Sequence, residues 1–132
     1  MKSDEWYLYK LKLTTMSEED ADLTIDELTW KQYILQALGK NHGLFGQGVE
    51  HTILNTKKIF IGSSYVNIAY IQVSKMDDKI FSNAINTYIN YKLIDGKILM
   101  CAVLQKTDEF GKLEINDEEA LWKKKLIEQL EE

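Results

Sequence analysis

The residues best suited to covalent chemistry in this 132-residue chain are one cysteine and two histidines. A cysteine thiolate beside a histidine base is the usual pair of a thiol enzyme. Cys101, however, lies in the most apolar run of the sequence, where a thiol is normally an inert core group. His42 and His51 have no cysteine or carboxylate at the spacing that zinc ligands require. We therefore expect no catalytic residue, no metal site and no cofactor.

A glycine-punctuated segment, Gly43-Leu44-Phe45-Gly46-Gln47-Gly48, is the next candidate. Glycine-rich loops bind phosphate when they follow a strand and open a helix, because the first amides of the helix then face the anion. Here the segment is expected to form a loop after a helix and before a strand, which is the reverse order. It does not predict a phosphate site. The ring of Phe45, set between glycines, instead needs a pocket in its own domain or in a partner.

Base stacking on aromatic side chains is the third chemistry to consider. RNA-recognition modules place stacking aromatics on their first and third strands, within a pattern close to K/R-G-F/Y-G/A-F-V-x-F/Y. The corresponding stretch here, Gly62–Tyr70, lacks the basic first residue. The tyrosines on these two segments are more often packing residues; they are Tyr7, Tyr9, Tyr65 and Tyr70. A free-standing RNA-recognition-type binding module is therefore the alternative interpretation, and nothing favours a small enzyme or metabolite sensor.

Length and composition indicate one globular domain that spans residues 1–132. Hydrophobic residues make up 45% and charged residues 28%, as in ordinary folded proteins. No apolar run approaches the roughly 20 residues that a membrane span needs, so we expect no membrane partner. A single cysteine favours a reducing compartment, cytosol or nucleus.

The charged residues argue against an autonomous nucleic-acid reader. All sixteen basic residues are lysines and the net charge is −5. Arginine is the side chain best suited to paired contacts with phosphate and guanine, so a sequence-reading protein would rarely lack it. Acidic residues concentrate in a predicted loop at about 14–24 and after residue 113, which leaves a mildly basic middle. That middle could touch phosphate as one contributor among many, although solvated surface charge is the simpler interpretation.

Hydrophobic periodicity predicts an α+β domain. The first half contains a strand over Trp6–Leu13, a helix from a capping box at Thr24–Glu27 to about Gly39, and a strand over Val49–Asn55. A long connection then leads to a strand over Tyr65–Val73 and to a helix whose apolar stripe ends at Ile89. The last two elements are a strand over Ile98–Leu104, expected to be covered on both faces, and a C-terminal helix over about 116–131 with Trp122, Leu126 and Leu130 on one side. This is a ferredoxin-like or RNA-recognition-like β-α-β-β-α-β order with an added C-terminal helix.

Several stretches, taken in order, give the chain a family resemblance. They are LTWKQY at Leu28–Tyr33, GLFGQGVE at Gly43–Glu50, IAYIQV at Ile68–Val73, FSNAINTYI at Phe81–Ile89 and LWKK at Leu121–Lys124. Together they resemble the family of the smallest acidic Pop subunit, the eighth Pop protein, of yeast ribonuclease P and ribonuclease MRP. The resemblance covers nearly the whole chain, and the stretch Ile59–Asn67 looks longer than in that family.

The resemblance implies an RNA-recognition-like fold and a function. It implies a non-catalytic protein subunit of the ribonuclease P and ribonuclease MRP ribonucleoproteins, which supports 5′ processing of precursor tRNA and processing of precursor rRNA while the RNA is the catalyst. The implied partners are a larger Pop relative, the fifth Pop protein, as a heterodimer, then the barrel-fold Rpp subunits, and the P and MRP RNAs mainly through the complex. The implied location is the nucleus, and within it the nucleolus.

Two sets of residues follow as site hypotheses. The partner interface is assigned to Trp30, Tyr33, Gly43, Leu44, Phe45, Gly46, Gln47 and Gly48, because aromatic anchors are common in interfaces. The helical spacing of Trp30 with Ile34 and Leu38 also fits a core position. A direct RNA contact, the weaker hypothesis, is assigned to Lys57 and Lys58.

Overall fold

The computed structural model describes residues 5–15, 24–61, 64–94 and 97–109. In chain order the elements are β1 (Trp6–Thr15), α1 (Glu27–Gln47), β2 (His51–Ile61), β3 (Ser64–Ser74), a 3₁₀ turn (Lys75–Asp77), α2 (Asp78–Thr87), β4 (Ile89–Ile94) and β5 (Lys97–Thr107). The strands form one antiparallel sheet in the order β2-β3-β1-β5-β4. The predicted C-terminal helix and most of the predicted acidic loop lie outside the described residues.

The four strands β2-β3-β1-β5 with the two helices confirm the ferredoxin-like prediction. Alternate residues of the central strands, such as Leu11 and Ile71, pack against both helices in one buried cluster, so α1 and α2 lie on the same face of the sheet. We call this the helix face and the opposite one the open face. The larger of the two buried apolar clusters therefore lies between the sheet and the two helices.

The start of α1 differs from the predicted capping box. The carboxylate of Asp26, not the hydroxyl of Thr24, caps the helix: Asp26 Oδ1 accepts a hydrogen bond from the Thr29 amide at 2.7 Å. The Asp26 carbonyl accepts from the Trp30 amide at 3.0 Å. The hydroxyl of Thr24 instead accepts from Lys58 Nζ at 3.1 Å. The helix thus begins one residue after an aspartate, which is also a favoured cap.

The end of α1 also differs, because the helix runs to Gln47 rather than stopping near Gly39. One glycine inside a helix costs only about 1 kcal/mol relative to alanine, so it does not end a helix by itself. The backbone from Gly43 to Gln47 is therefore helical and only Gly48 is a turn. The prediction of a glycine loop at this point is wrong.

The hairpin of β2 and β3 replaces the predicted long connection. Thr56 pairs with Ala69, Ile59 with Val66 and Ile61 with Ser64, so the two strands nearly meet. Branched residues favour a strand here, and lysines are tolerated because β2 lies at an edge of the sheet. One register irregularity, between Ile53 and Asn55, separates the two halves of β2.

The second half of the domain carries a strand that the sequence did not predict. The helix α2 ends at Thr87, Tyr88 is extended, and Ile89 begins β4 rather than closing the helical stripe. The described helices cover β5 on one face only, which corrects the expectation of two covered faces. Met100 and Leu104 of β5 are 40% and 47% exposed on the open face, because the two described helices cover only the opposite one.

The Asp26 cap gives a testable pH dependence. The hydrogen bonds from Thr29 lower the pKa of Asp26, so the stabilisation is present above the pKa of the unfolded carboxyl and disappears as pH falls. We expect Asp26→Ala to lower the melting temperature at pH 7 and to match the parent chain near pH 2.5. Thr24→Ala, the control, should change it far less at both pH values. An equal fall in melting temperature for the two variants at pH 7 would support the capping box at Thr24–Glu27 instead.

Candidate functional site and interaction surfaces

In the part of the chain that the structure describes, the groups suited to nucleophilic chemistry do not form a site. Burial raises the pKa of the Cys101 thiol to about 12, so the nucleophilic thiolate is scarce at neutral pH. Burial also lowers the pKa of His51, and its Nδ1 lies 3.3 Å from the Val49 carbonyl oxygen. The described residues contain no group of three or more metal-ligating side chains. The side chain of His42 lies outside the described residues.

The thiol environment predicts slow alkylation of Cys101. With a pKa near 12, the thiolate fraction at pH 8 is lower than that of an ordinary thiol by a factor of about 10³. We expect iodoacetamide to modify the folded chain at least 100-fold more slowly than the urea-unfolded chain, as followed by mass spectrometry. Similar rates in the two states would indicate a reactive, accessible cysteine.

Trp30 and Tyr33 are core residues, which corrects their assignment to the partner interface. Both side chains are fully buried. The Tyr33 hydroxyl donates to the carbonyl oxygen of Tyr88 at 3.0 Å, and the two rings meet edge to face with centroids 5.2 Å apart. Burial raises the pKa of the Tyr33 phenol. A partner could reach either ring only after α1 left the sheet, so neither is an interface anchor in this fold.

The segment from Gly43 to Gly48 takes a different position from the predicted loop. Its backbone forms the last turns of α1 and the turn into β2. Its side chains from Gly43 to Gln47 lie outside the described part of the molecule. The assignment of Leu44, Phe45 and Gln47 to an interface therefore stays a prediction, now placed on a helix end rather than on a loop.

The tyrosines considered for base stacking are mostly engaged in packing. Tyr9 packs its ring against Phe81 at 5.0 Å between centroids and donates its hydroxyl to Asp78 Oδ1. Burial, and then this hydrogen bond, raise the pKa of the Tyr9 phenol. The Tyr7 ring is covered by the ammonium groups of Lys106 and Lys75, at 4.1 and 4.8 Å. These two rings serve the domain itself, which weakens the RNA-recognition alternative.

Two ion pairs lie at the end of the sheet where β1 begins and β5 ends. Lys75 Nζ lies 2.9 Å from Asp108 Oδ2, and Lys106 pairs with Asp78, the same carboxylate that Tyr9 contacts. No local sequence pattern predicts this cluster, because its ion pairs and the Tyr9 hydrogen bond join residues that are 28, 33 and 69 positions apart. It joins β1, β5 and the start of α2, so its role is structural.

Lys57 and Lys58 point to opposite sides of the sheet. Lys57 pairs in register with Ile68 and Lys58 with Asn67, and neighbouring residues of a strand face opposite ways. Lys58 reaches the helix face, where it contacts Thr24. The two lysines therefore cannot form one cationic patch. Only Lys57 lies on the open face, together with Lys10 and Lys12 of β1. An RNA bound to that face could therefore contact Lys57 but not Lys58.

The open face also carries an exposed apolar strip that sequence reasoning missed. Met100, Ala102 and Leu104 of β5 are exposed, and Ala102 lies beside Lys12 of the neighbouring strand. The alternation of lysine and leucine in β1 indicates that one face of the sheet is exposed. The sequence of β5 does not show which of its faces is exposed, because its residues are apolar on both faces.

The comparisons with known proteins decide the family. The family model for the ribonucleases P/MRP protein subunit Pop8 matches residues 5–88. The ribonucleases P/MRP protein subunit POP8 of Saccharomyces cerevisiae is 34% identical over 129 residues, which cover 97% of this chain and 91% of the yeast protein. This chain belongs to the Pop8 family. A chain in the cryo-EM structure of yeast ribonuclease MRP superposes with a TM-score of 0.75 at 32% identity, covering 99% of this chain and 95% of that one.

Membership of the Pop8 family confirms the main functional predictions. The chain is a protein subunit of ribonucleases P and MRP, and it is not a catalytic component. The structural match also confirms the fold class that the Pop8 resemblance implied. Neither helix in the described ranges has both the length and the apolar character needed to cross a membrane.

Proposed function

We propose that this chain acts as a non-catalytic brace in ribonucleases P and MRP, held there by a heterodimer with the larger Pop relative. The pair contacts the barrel-fold Rpp subunits and, through them, the P and MRP RNAs in the nucleus and nucleolus. In this role it supports processing of precursor tRNA and precursor rRNA. The carrying observation is the near full-length match, in both sequence and fold, to a chain of yeast ribonuclease MRP.

The charges of the chain support a contact with protein rather than with RNA alone. The chain has no arginine and a net charge of −5, and long-range attraction to phosphate depends on positive charge. Several described lysines are already engaged by the domain itself: Lys75 by Asp108, Lys106 by Asp78 and Lys58 by Thr24. Partners would therefore supply most of the phosphate contacts.

The outer side of α1 is the part of the helix layer best suited to the partner. Leu28 is 63% exposed and Leu35 is 38% exposed, and a spacing of seven residues places them on one side of the helix. The helix then continues into the segment from Gly43 to Gln47, whose sequence adds Leu44 and Phe45. A stable interface buries on the order of 1,600 Å² in total, so the whole helix length would be needed.

A binding experiment with purified components tests this function. The full chain is titrated with the larger Pop relative and, separately, with a single-stranded RNA, each by calorimetry at physiological salt. We expect submicromolar affinity for the protein, on the order of 10⁻⁷ M or tighter, and no saturable binding of the RNA. Saturable RNA binding without affinity for the Pop relative would overturn the proposal in favour of an RNA-recognition-type module.

A further inference from the structure

The first half of β2 is an unprotected edge of the sheet. Among the described strands, β2 pairs only with β3, so its other edge has no neighbour there. Natural proteins usually protect such an edge with lysines, prolines or a β-bulge, because its N–H and C=O groups can pair with another chain. Here Lys57 and Lys58 lie in the second half of β2, beyond the register irregularity between Ile53 and Asn55, and the chain contains no proline. The stretch that begins at His51 therefore has neither a lysine nor a proline.

The register fixes which backbone groups point toward the free edge. The Ser74 amide donates to the Glu50 carbonyl oxygen at 3.4 Å, so this pair of residues exchanges hydrogen bonds between the strands. Bonded and non-bonded pairs alternate along an antiparallel ladder, so the next bonded residue of β2 is Thr52. The N–H and C=O groups of His51 and Ile53 therefore point away from β3, toward the free edge.

The first turns of α1 form the opposite wall of a cleft beside this edge. The cleft has a volume of about 210 Å³ and is lined by Glu27 and Lys31 of α1 and by His51, Thr52 and Ile53 of β2. An edge strand on one side and a helix on the other make a groove that suits an extended chain, since such a chain can bond to the strand while its side chains contact the helix.

The charges of the cleft indicate what its occupant carries. Glu27 lies in the first turn of α1, where the helix dipole stabilises a carboxylate. Lys31 forms no ion pair with a described residue. Burial lowers the pKa of His51, and the Lys31 ammonium lowers it further, so this imidazole is neutral at neutral pH and Lys31 is the cation of the cleft. A carboxylate on the occupant would therefore gain an ion pair with Lys31.

We propose that this cleft binds an extended segment of the protein partner, which adds to β2 as a further strand and places a carboxylate beside Lys31. The main-chain hydrogen bonds go to His51 and Ile53 and supply affinity, while alternate side chains supply specificity. The partner is the larger Pop relative of the proposed function, on which this inference rests. The exposed Leu28 and Leu35 lie on the same helix as Lys31, so the cleft continues the surface assigned to that partner.

Amide exchange followed by NMR tests the added strand. The isotope-labelled full chain is measured alone and with the unlabelled larger Pop relative. We expect the amides of His51 and Ile53 to exchange at least about tenfold more slowly in the complex, whereas the Thr52 amide, bonded to β3, should be slow in both states. Binding by calorimetry without slower exchange at His51 and Ile53 would overturn this inference and leave the proposed function intact. Absence of binding would overturn both.

Nuclear Overhauser effects in the same samples identify the occupant. We expect contacts from the amide protons of His51 and Ile53 to backbone protons of the Pop relative. Contacts from these amides to side chains of the partner alone would contradict strand addition. Slow exchange of the two amides in the isolated chain, with contacts between differently labelled copies, would make a second copy the occupant and would also overturn the inference.

A pair of charge reversals on α1 tests the carboxylate. Lys31→Glu should weaken binding of the Pop relative about tenfold at low salt, because the cleft would then present two carboxylates to the acidic side chain. Lys40→Glu is the matched control: Lys40 is also exposed on α1, but its ammonium lies over the Tyr88 ring, 5.7 Å from the centroid. We expect its affinity to equal that of the parent chain. Equal affinities for the two variants, with both folded by thermal melt, would overturn the pairing with Lys31.

Discussion

Trp30→Ala is expected to destabilise the domain by about 3–5 kcal/mol, the usual cost of emptying an aromatic site in a core. The side chain is fully buried against the sheet, in the same cluster as Ile34 and Leu38 of its own helix. Domains of this size are stable by only about 5–15 kcal/mol, so a large part of the total would be lost. Urea unfolding of the full chain, followed by circular dichroism, measures the change.

Trp30→Phe serves as the matched control. The Trp30 Nε1 is buried without a hydrogen-bond partner in the part of the chain that the structure describes. Phenylalanine removes that unpaired donor and keeps most of the ring volume, so we expect it to cost less than half as much as alanine. If Trp30→Ala cost under about 1 kcal/mol while partner affinity fell, Trp30 would be an interface anchor after all.

Phe45→Ala is expected to weaken binding to the larger Pop relative at least tenfold, equivalent to about 1.4 kcal/mol. Phe45 lies on the last turns of α1, and the neighbouring Gly43 and Gly46 have no side chain to hold a partner away from the helix. Aromatic side chains, phenylalanine among them, are enriched at protein interfaces. Calorimetry with the purified partner gives the affinity.

The matched control is Met76→Ala, which removes another large apolar side chain at a position that is 93% exposed. We expect its affinity to equal that of the parent chain. A thermal melt of each variant separates lost contact from lost folding. Unchanged affinity for Phe45→Ala in a folded domain would remove this segment from the interface and leave Leu28 and Leu35 as the remaining candidates on α1.

The architecture was predictable where the local pattern and the tertiary structure agree. The apolar residues of the alternating pattern in β1 are buried in the same core cluster as the apolar stripe of α2, which includes Phe81 and Ile85. The order of elements then leads to the ferredoxin-like sheet. The spacing of Trp30, Ile34 and Leu38 also favoured the core, and the structure confirms that interpretation over the interface assignment.

The errors arose where distant contacts outweigh local signals. Gly39 does not end α1, because one glycine costs a helix only about 1 kcal/mol relative to alanine and the helix continues to Gln47. The apolar run of β5 was expected between two layers, but Met100 and Leu104 lie on a face that the described helices leave open. The ion pair of Lys106 with Asp78 joins residues 28 positions apart, and no local pattern predicts such a pair.

Tagged purification of this chain from its native cells tests most directly whether it is a subunit of ribonucleases P and MRP. We expect recovery of the P and MRP RNAs, the larger Pop relative and cleavage of precursor tRNA. After nuclease treatment the protein partners should remain bound while the RNAs are lost. Recovery of the chain alone, or with heterogeneous RNA and no cleavage activity, would contradict its role as a subunit held by protein contacts.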